Sequence, residues 1–246
     1  SSNNMIVANW KMNGSKEEVD SWLRFVSSNI SPNTDNLCIF CPPSCYLDYS
    51  SSLIKEISSP VRLGSQNINF SGNSALTGGI SSQMLKDLSA EHVLIGHSEQ
   101  RQYFNEDNDS LKSKIADALT KDISPIFCIG EPQEIKDENR TKDYLFRQLE
   151  ILESFDSNLI TIAYEPIWAI GSGANADNNY IKEVHSYIKE FCCEELNFKE
   201  KVSVVYGGSV KLENCEEILS SSEVDGLLIG GASLDPDSFS KIYNLS

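Results

Sequence analysis

Short runs of apolar residues recur along the chain at intervals of roughly thirty residues, the length of one βαβ unit. They are Met5–Val7, Leu37–Cys41, Val61–Leu63, Val93–Ile95, Ile126–Ile129, Leu159–Ala163, Val202–Tyr206 and Leu227–Ile229. Each is continuous rather than alternating, which predicts parallel strands covered on both faces. The segments between them change period. Val19, Trp22, Leu23 and Val26 fall at the i, i+3, i+4, i+7 spacing of one helical face, and Ser15 with Glu18 forms a capping box ahead of them. Leu145, Leu149 and Leu152 repeat the pattern, as do Ile181, Val184, Ile188 and Phe191. Asp235 as N-cap and Pro236 at the first position open a last helix carrying Phe239, Ile242 and Tyr243. No low-complexity linker divides the chain. The alternation predicts an α/β protein, a single (β/α)8 barrel of parallel strands forming one domain over residues 1–246. The rival is a doubly wound sheet. It favours a glycine-rich turn after the first strand, and Asn9-Trp10-Lys11-Met12-Asn13-Gly14 is not one.

In such a barrel the chemistry belongs at the carboxyl ends of the strands. The first strand delivers Asn9 and Lys11 there, the fourth Gly96-His97-Ser98-Glu99, and the sixth Glu165. The seventh delivers Tyr206-Gly207-Gly208-Ser209 and the eighth Gly230-Gly231. Singly, each has an ordinary reading: His97 as a packed residue, Glu165 as a cap, Lys11 as a solvated lysine, the glycine pairs as tight turns. Their shared register is what points to a site. Glu165 is followed at once by Pro166, which cannot continue a ladder, and then by Trp168, Gly171, Ser172 and Gly173. A carboxylate beside a glycine-hinged flap suits removal of a proton from carbon with water kept away. Glycine pairs after the last two strands suit an anion held by backbone N–H groups.

Charge sharpens this picture. The net charge is −16 and the pI about 4.5, which argues against nucleic acid and anionic membrane as partners. An anionic substrate would need a locally positive pocket, and Lys11 is the candidate. No run of about 18 apolar residues suggests a membrane span, and Ser1–Asn4 lead in without a basic or signal-like segment. The seven cysteines form no disulfide framework, so a reducing, cytoplasmic setting is expected, with the sequons at Asn29, Asn69, Asn108 and Asn139 inert. Cys38, Cys41 and Cys45 are the nearest approach to a metal cluster. Positions three apart on a strand face opposite sides, and a second CxxC or His pair is missing, so structural thiols and no metal are expected.

With those residues in view, the chain closely resembles the triosephosphate isomerase family over essentially its full length. The matching segments are NWKMN (9–13), CPPSCYL (41–47), SQN (65–67), LTGG (76–79), GHSEQR (96–101), CIGE (128–131), AYEPIWAIGSG (163–173), YGGSV (206–210) and DGLLIGGASL (225–234). The resemblance implies interconversion of dihydroxyacetone phosphate and D-glyceraldehyde 3-phosphate, in glycolysis and gluconeogenesis, with no metal or organic cofactor. A carboxylate base paired with a neutral histidine under a closing lid is this family's own established chemistry, carried over here by motif and not deduced from spacing. On the matching positions Glu165 would move the proton between carbons, and His97 would shuttle one between oxygens. Lys11 would hold the phosphate and oxyanion, and Asn9 would bond a substrate oxygen. Gly171, Ser172, Ser209, Gly230 and Gly231 would ring the phosphate, and Glu99 would be a buried partner of the lysine. Thr77 would reach the partner's site in a homodimer.

This chain departs from the family at the second lid hinge, Ala174-Asn175-Ala176, and in the loop Ser74-Ala75-Leu76-Thr77-Gly78-Gly79. Gln100 stands where an arginine is common, and residues 132–139 also differ. The competing readings are another phosphate-handling barrel enzyme and a non-catalytic binding protein that keeps the fold.

Overall fold

The computed structural model describes residues 3–32, 35–69, 72–156, 158–170 and 176–246. Among these, eight parallel strands close into a barrel in sequence order: β1 (Met5–Asn9), β2 (Leu37–Cys41), β3 (Arg62–Ser65), β4 (His92–Ile95), β5 (Ser124–Ile129), β6 (Thr161–Tyr164), β7 (Ser203–Tyr206) and β8 (Gly226–Ile229). β1 pairs with both β2 and β8, so the sheet has no edge and the doubly wound alternative is gone. Three strands start later than the apolar runs suggest. Val61, Ile160 and Val202 are buried yet precede β3, β6 and β7, because burial follows apolarity whereas pairing starts where a neighbouring strand offers a ladder partner.

The continuous apolar runs serve two cores. Val7, Ile39, Leu94, Ile126, Val205 and Leu228 fill the barrel interior, while Ile6, Ala8, Phe40 and Val93 point outward under the helices. The helix Lys16–Asn29 lays Val19, Trp22, Leu23 and Val26 on that outer face. Trp22 stacks on Phe40 with centroids 4.5 Å apart, and its Nε1 donates to Ser233 O at 2.8 Å. Burying one such side chain contributes roughly 1.5–3 kcal/mol. Ser15 caps this helix by accepting from Glu18 N, and its hydroxyl turns to Glu18 Oε1. Asp235 caps the last helix, Pro236–Leu245. The 145–152 pattern is not one helix: Thr141–Leu149 is α-helical, and a tighter 3-10 turn, Glu150–Ser154, brings Leu152 into the core.

Cys41 faces the barrel interior and Cys38 the outer core, as residues three apart on a strand must. Burial pushes both thiols well above their ordinary range. Among the described residues, no group of three or more His, Cys, Asp or Glu side chains is arranged to hold a metal ion, and no helix is long and apolar enough to cross a membrane.

Two buried histidines make the fold acid-sensitive. His185, on the helix Asn178–Glu194, packs between Tyr164 and Tyr206 with its Nδ1 3.2 Å from Glu223 O. Burial lowers its pKa to about 3, and that of His92 at the start of β4 to about 4. Below about pH 6.5 the unfolded chain binds protons that these folded imidazoles refuse, so stability rises with pH through this window. Each group contributes a loss of about 1.4 kcal/mol per pH unit on acidification. The unfolded imidazoles are only half protonated at pH 6.5, so urea unfolding should give a free energy about 3 kcal/mol lower at pH 5 than at pH 6.5 from this pair. His92→Gln with His185→Gln should flatten the slope; an unchanged slope would assign it to other groups.

Candidate active site

The carboxyl ends of β1, β4, β6, β7 and β8 open onto one mouth of the barrel. A cavity of about 250 Å³ there is lined by Asn9, Lys11, Glu165, Gly207–Val210, Gly230 and Gly231. A second, of about 530 Å³, shares Asn9 and Lys11 and adds His97, Glu99, Met12 and Tyr103. Nearly all the described residues singled out from the sequence thus converge, and Thr77 is the exception.

Glu165 directly follows β6. Its amide donates to Ile129 O at 2.8 Å, and Pro166 then ends the ladder. The side chain is only 6% exposed and crosses Gly207, where a Cβ would stand 2.5 Å from Glu165 Cγ. Gly207, expected among the anion ligands, makes room for the carboxylate, and its amide already donates to Tyr164 O.

Glu165 Oε1 lies 2.9 Å and Oε2 3.2 Å from His97 Nε2. His97 is itself the N-cap of the short helix Ser98–Tyr103, its Nδ1 accepting from Glu99 N at 3.1 Å. Burial opposes a charge on this imidazole while the carboxylates of Glu165 and Glu99 favour one, and the balance lies above the ordinary histidine value. The hydrogen bonds decide where protons sit. Nδ1 is committed as an acceptor, so a neutral His97 carries its proton on Nε2, aimed at Glu165. A second proton would have to go on Nδ1 and break the bond from the Glu99 amide.

Lys11 has a left-handed backbone, φ 57°, rare for a residue with a side chain. Its Nζ sits 2.9 Å from Glu99 Oε1, and a Cβ at Gly230 would be 3.7 Å from that nitrogen. Glu99 is thus the partner of the lysine but not a buried one. Its side chain is 39% exposed, because the helix Ser98–Tyr103 starts at the lip of the barrel and presents its first turn to the mouth. Asn9 is buried, and its Oδ1 accepts from Lys11 N at 3.1 Å. Ser209 lines the cavity, and its hydroxyl donates to Ala169 O at 2.6 Å. Gly171 and Ser172, like Ala174 and Asn175 of the hinge, lie outside the described residues. Thr77 is exposed in a turn of the loop whose neck is tied by Asn69 N to Ile80 O at 2.8 Å.

Two residues that matter here drew no role from the sequence. Gln66, after β3, donates from Nε2 to both Lys11 O and Cys41 O, each at 2.9 Å. Glu131, fully buried, accepts from Tyr164 Oη at 2.7 Å and from Trp168 Nε1 at 3.0 Å, bracing the segment just after the proposed base. Burial raises its pKa while those two donors oppose the rise. Both residues lie within matching motifs, SQN and CIGE. That was the only signal available.

The triosephosphate isomerase family model matches residues 4–246. The chain belongs to the triosephosphate isomerase family. Among its relatives, the triosephosphate isomerase of Dictyoglomus turgidum is 39% identical over 241 residues, covering 96% of each chain. That of Gloeobacter violaceus is 38% identical over 242 residues, covering 98% of this chain and 97% of its own. That of Alkaliphilus metalliredigens is 39% identical over 246 residues, covering 98% of each. Membership in the triosephosphate isomerase family removes the rival reading of another phosphate-handling barrel. The binding-protein reading loses ground because Lys11, His97 and Glu165 occupy one mouth of the barrel.

Proposed function

We propose that the chain is one catalytic domain, residues 1–246, that interconverts dihydroxyacetone phosphate and D-glyceraldehyde 3-phosphate through an enediolate, in glycolysis and gluconeogenesis. The observation that carries this reading is the buried contact of Glu165 with His97 Nε2 at 2.9 Å, beside Lys11. Enolisation needs a base at carbon and a proton donor at the neighbouring oxygens, and these two side chains supply both without a metal or organic cofactor. A substrate entering the mouth separates Glu165 from His97. It thereby removes the largest influence that favours a charged imidazole, leaving a neutral Nε2–H to face the substrate oxygens. Lys11 holds the developing oxyanion and the phosphate electrostatically, and Asn9 bonds a substrate oxygen. Ser209, Gly230 and Gly231, with Gly171 and Ser172 of the lid, ring the phosphate. Glu99 holds the lysine in reach. In a protein of net charge −16, Lys11 gives the anionic substrate its local attraction, and Lys211 at the cavity wall adds to it.

The homodimer belongs to the same reading. Met12 is 95% exposed, and Tyr103 and Phe104 are each 70% exposed around the larger cavity. Apolar side chains clustered at a site mouth mark an interaction surface, and a twofold arrangement would set the Thr77 loop of each copy against the site mouth of its partner. Seven free cysteines fit a cytoplasmic protein.

The purified chain should isomerise D-glyceraldehyde 3-phosphate rapidly in an assay coupled to a dehydrogenase for the ketose product, and should sediment as a dimer. A folded dimer without turnover would overturn the catalytic reading and revive the binding-protein one.

A further inference from the structure

Lys11 must hold its ammonium at the site from a backbone conformation that lysine does not favour, so something has to enforce it. Local bonds are incomplete for this. Asn9 Oδ1, at the end of β1, accepts from the Lys11 amide, and Asn13 Nδ2 donates to Trp10 O, but neither reaches the Lys11 carbonyl. The tie to Lys11 O comes from Gln66 at the carboxyl end of β3, 55 residues away in sequence. A primary amide nitrogen has two hydrogens. Gln66 Nε2 uses one on Lys11 O and the other on Cys41 O, the last residue of β2, both at 2.9 Å. Cys41 O also accepts from Trp10 N at 3.2 Å, so the two loops are joined at a single carbonyl.

The β3 end is itself anchored. Ser65 Oγ donates to Asn67 O at 2.7 Å, and Asn67 Oδ1 accepts from the buried Lys114 Nζ at 2.9 Å, which is paired with Glu106. Gln66 therefore presents its amide from a braced segment, and a group held by packing can fix a loop that would otherwise relax.

We propose that Gln66 is a positioning residue for Lys11: its amide fork clamps the Lys11 carbonyl to the end of β2, keeping the lysine backbone left-handed and its Nζ in the mouth. This rests on the role proposed above for Lys11. The Gln66→Met variant keeps length and removes both donors.

The test is a double-mutant cycle with Lys11→Met, read as kcat/KM for D-glyceraldehyde 3-phosphate. Alone, Gln66→Met should lower kcat/KM by roughly 100-fold, the scale of a misplaced charged group. In the Lys11→Met background it should change kcat/KM by no more than about twofold, since the residue it serves is gone. Equal falls in both backgrounds, or a Gln66→Met enzyme within twofold of the native one, would overturn the proposal. Native kcat/KM in Lys11→Met would instead remove the lysine from the chemistry, a distinguishable failure of the underlying reading. A crystal structure of Gln66→Met should find Lys11 out of the left-handed region. Lys11 still near its native φ in an impaired enzyme counts against the clamp. If Gln66→Met does not fold, Gln66→Asn carries the same cycle, its amide withdrawn by one methylene.

Discussion

Glu165→Gln should lower kcat by roughly 10³–10⁴-fold, the loss expected when a positioned general base can no longer take a proton. The change is nearly isosteric, so the side chain still fits over Gly207 and still reaches His97. KM should move little, because Lys11 and the loops after β7 and β8 are untouched. Folding should not suffer either. With His97 neutral, the amide oxygen of glutamine can accept from Nε2 in place of the carboxylate, so no buried donor is left unpaired. A melting temperature equal to or above that of the parent would separate lost chemistry from lost structure. The histidine provides a second readout. With Glu165 neutralised, its attraction for an imidazolium disappears, and burial then dominates. The His97 resonances, followed by NMR across pH, should titrate lower in the variant. A kcat within tenfold of the parent would take Glu165 out of the chemistry. Glu165→Asp should also lose turnover while keeping substrate binding, since a shorter side chain draws the base away from carbon.

That experiment can be designed from the sequence because Glu165 announces itself: a carboxylate at the end of an apolar run, stopped by proline. His97 does the same after β4. Features with this local signature survive into the structure with their expected neighbours. Features set by distant partners do not announce themselves. Gln66 gains its meaning from carbonyls 25 and 55 residues away, and Glu131 from hydroxyl and indole donors 33 and 37 residues away. In the linear chain, each is an unremarkable polar residue near a strand end. The exposure of Glu99 is hidden in the sequence for a related reason. The sequence places it beside His97, but only the start of a short helix at the barrel lip decides how much solvent it meets. The barrel itself was readable because its two cores leave strands with no polar face at all. The onset of β3, β6 and β7 was not, since apolar residues run into the barrel before pairing begins.

Glyceraldehyde lacking the phosphate should be isomerised with a kcat/KM more than about 10⁵-fold below that of the phosphorylated substrate, the scale separating an oriented reaction from a free one. On the proposed assignment the phosphate takes no part in the proton transfers, yet much of the cavity lining is given to holding it. Ser209, Gly230 and Gly231 line the same cavity as Glu165, and Gly230 lies against the Lys11 side chain. Binding energy gained at such a remote group can be used to orient the reacting carbons and to close the site against water. Without that anchor, a three-carbon aldehyde would sit loosely between Glu165 and His97, and the ion-pair-like contact between them would compete with it. The loss should therefore fall on kcat as well as on KM. Adding inorganic phosphite alongside the truncated substrate should restore part of the rate by filling the anion site, and Lys11→Ala should abolish that rescue. Comparable kcat/KM for the two substrates would mean that the anion site does not contribute to the chemical step, and that the glycine loops after β7 and β8 are ordinary turns.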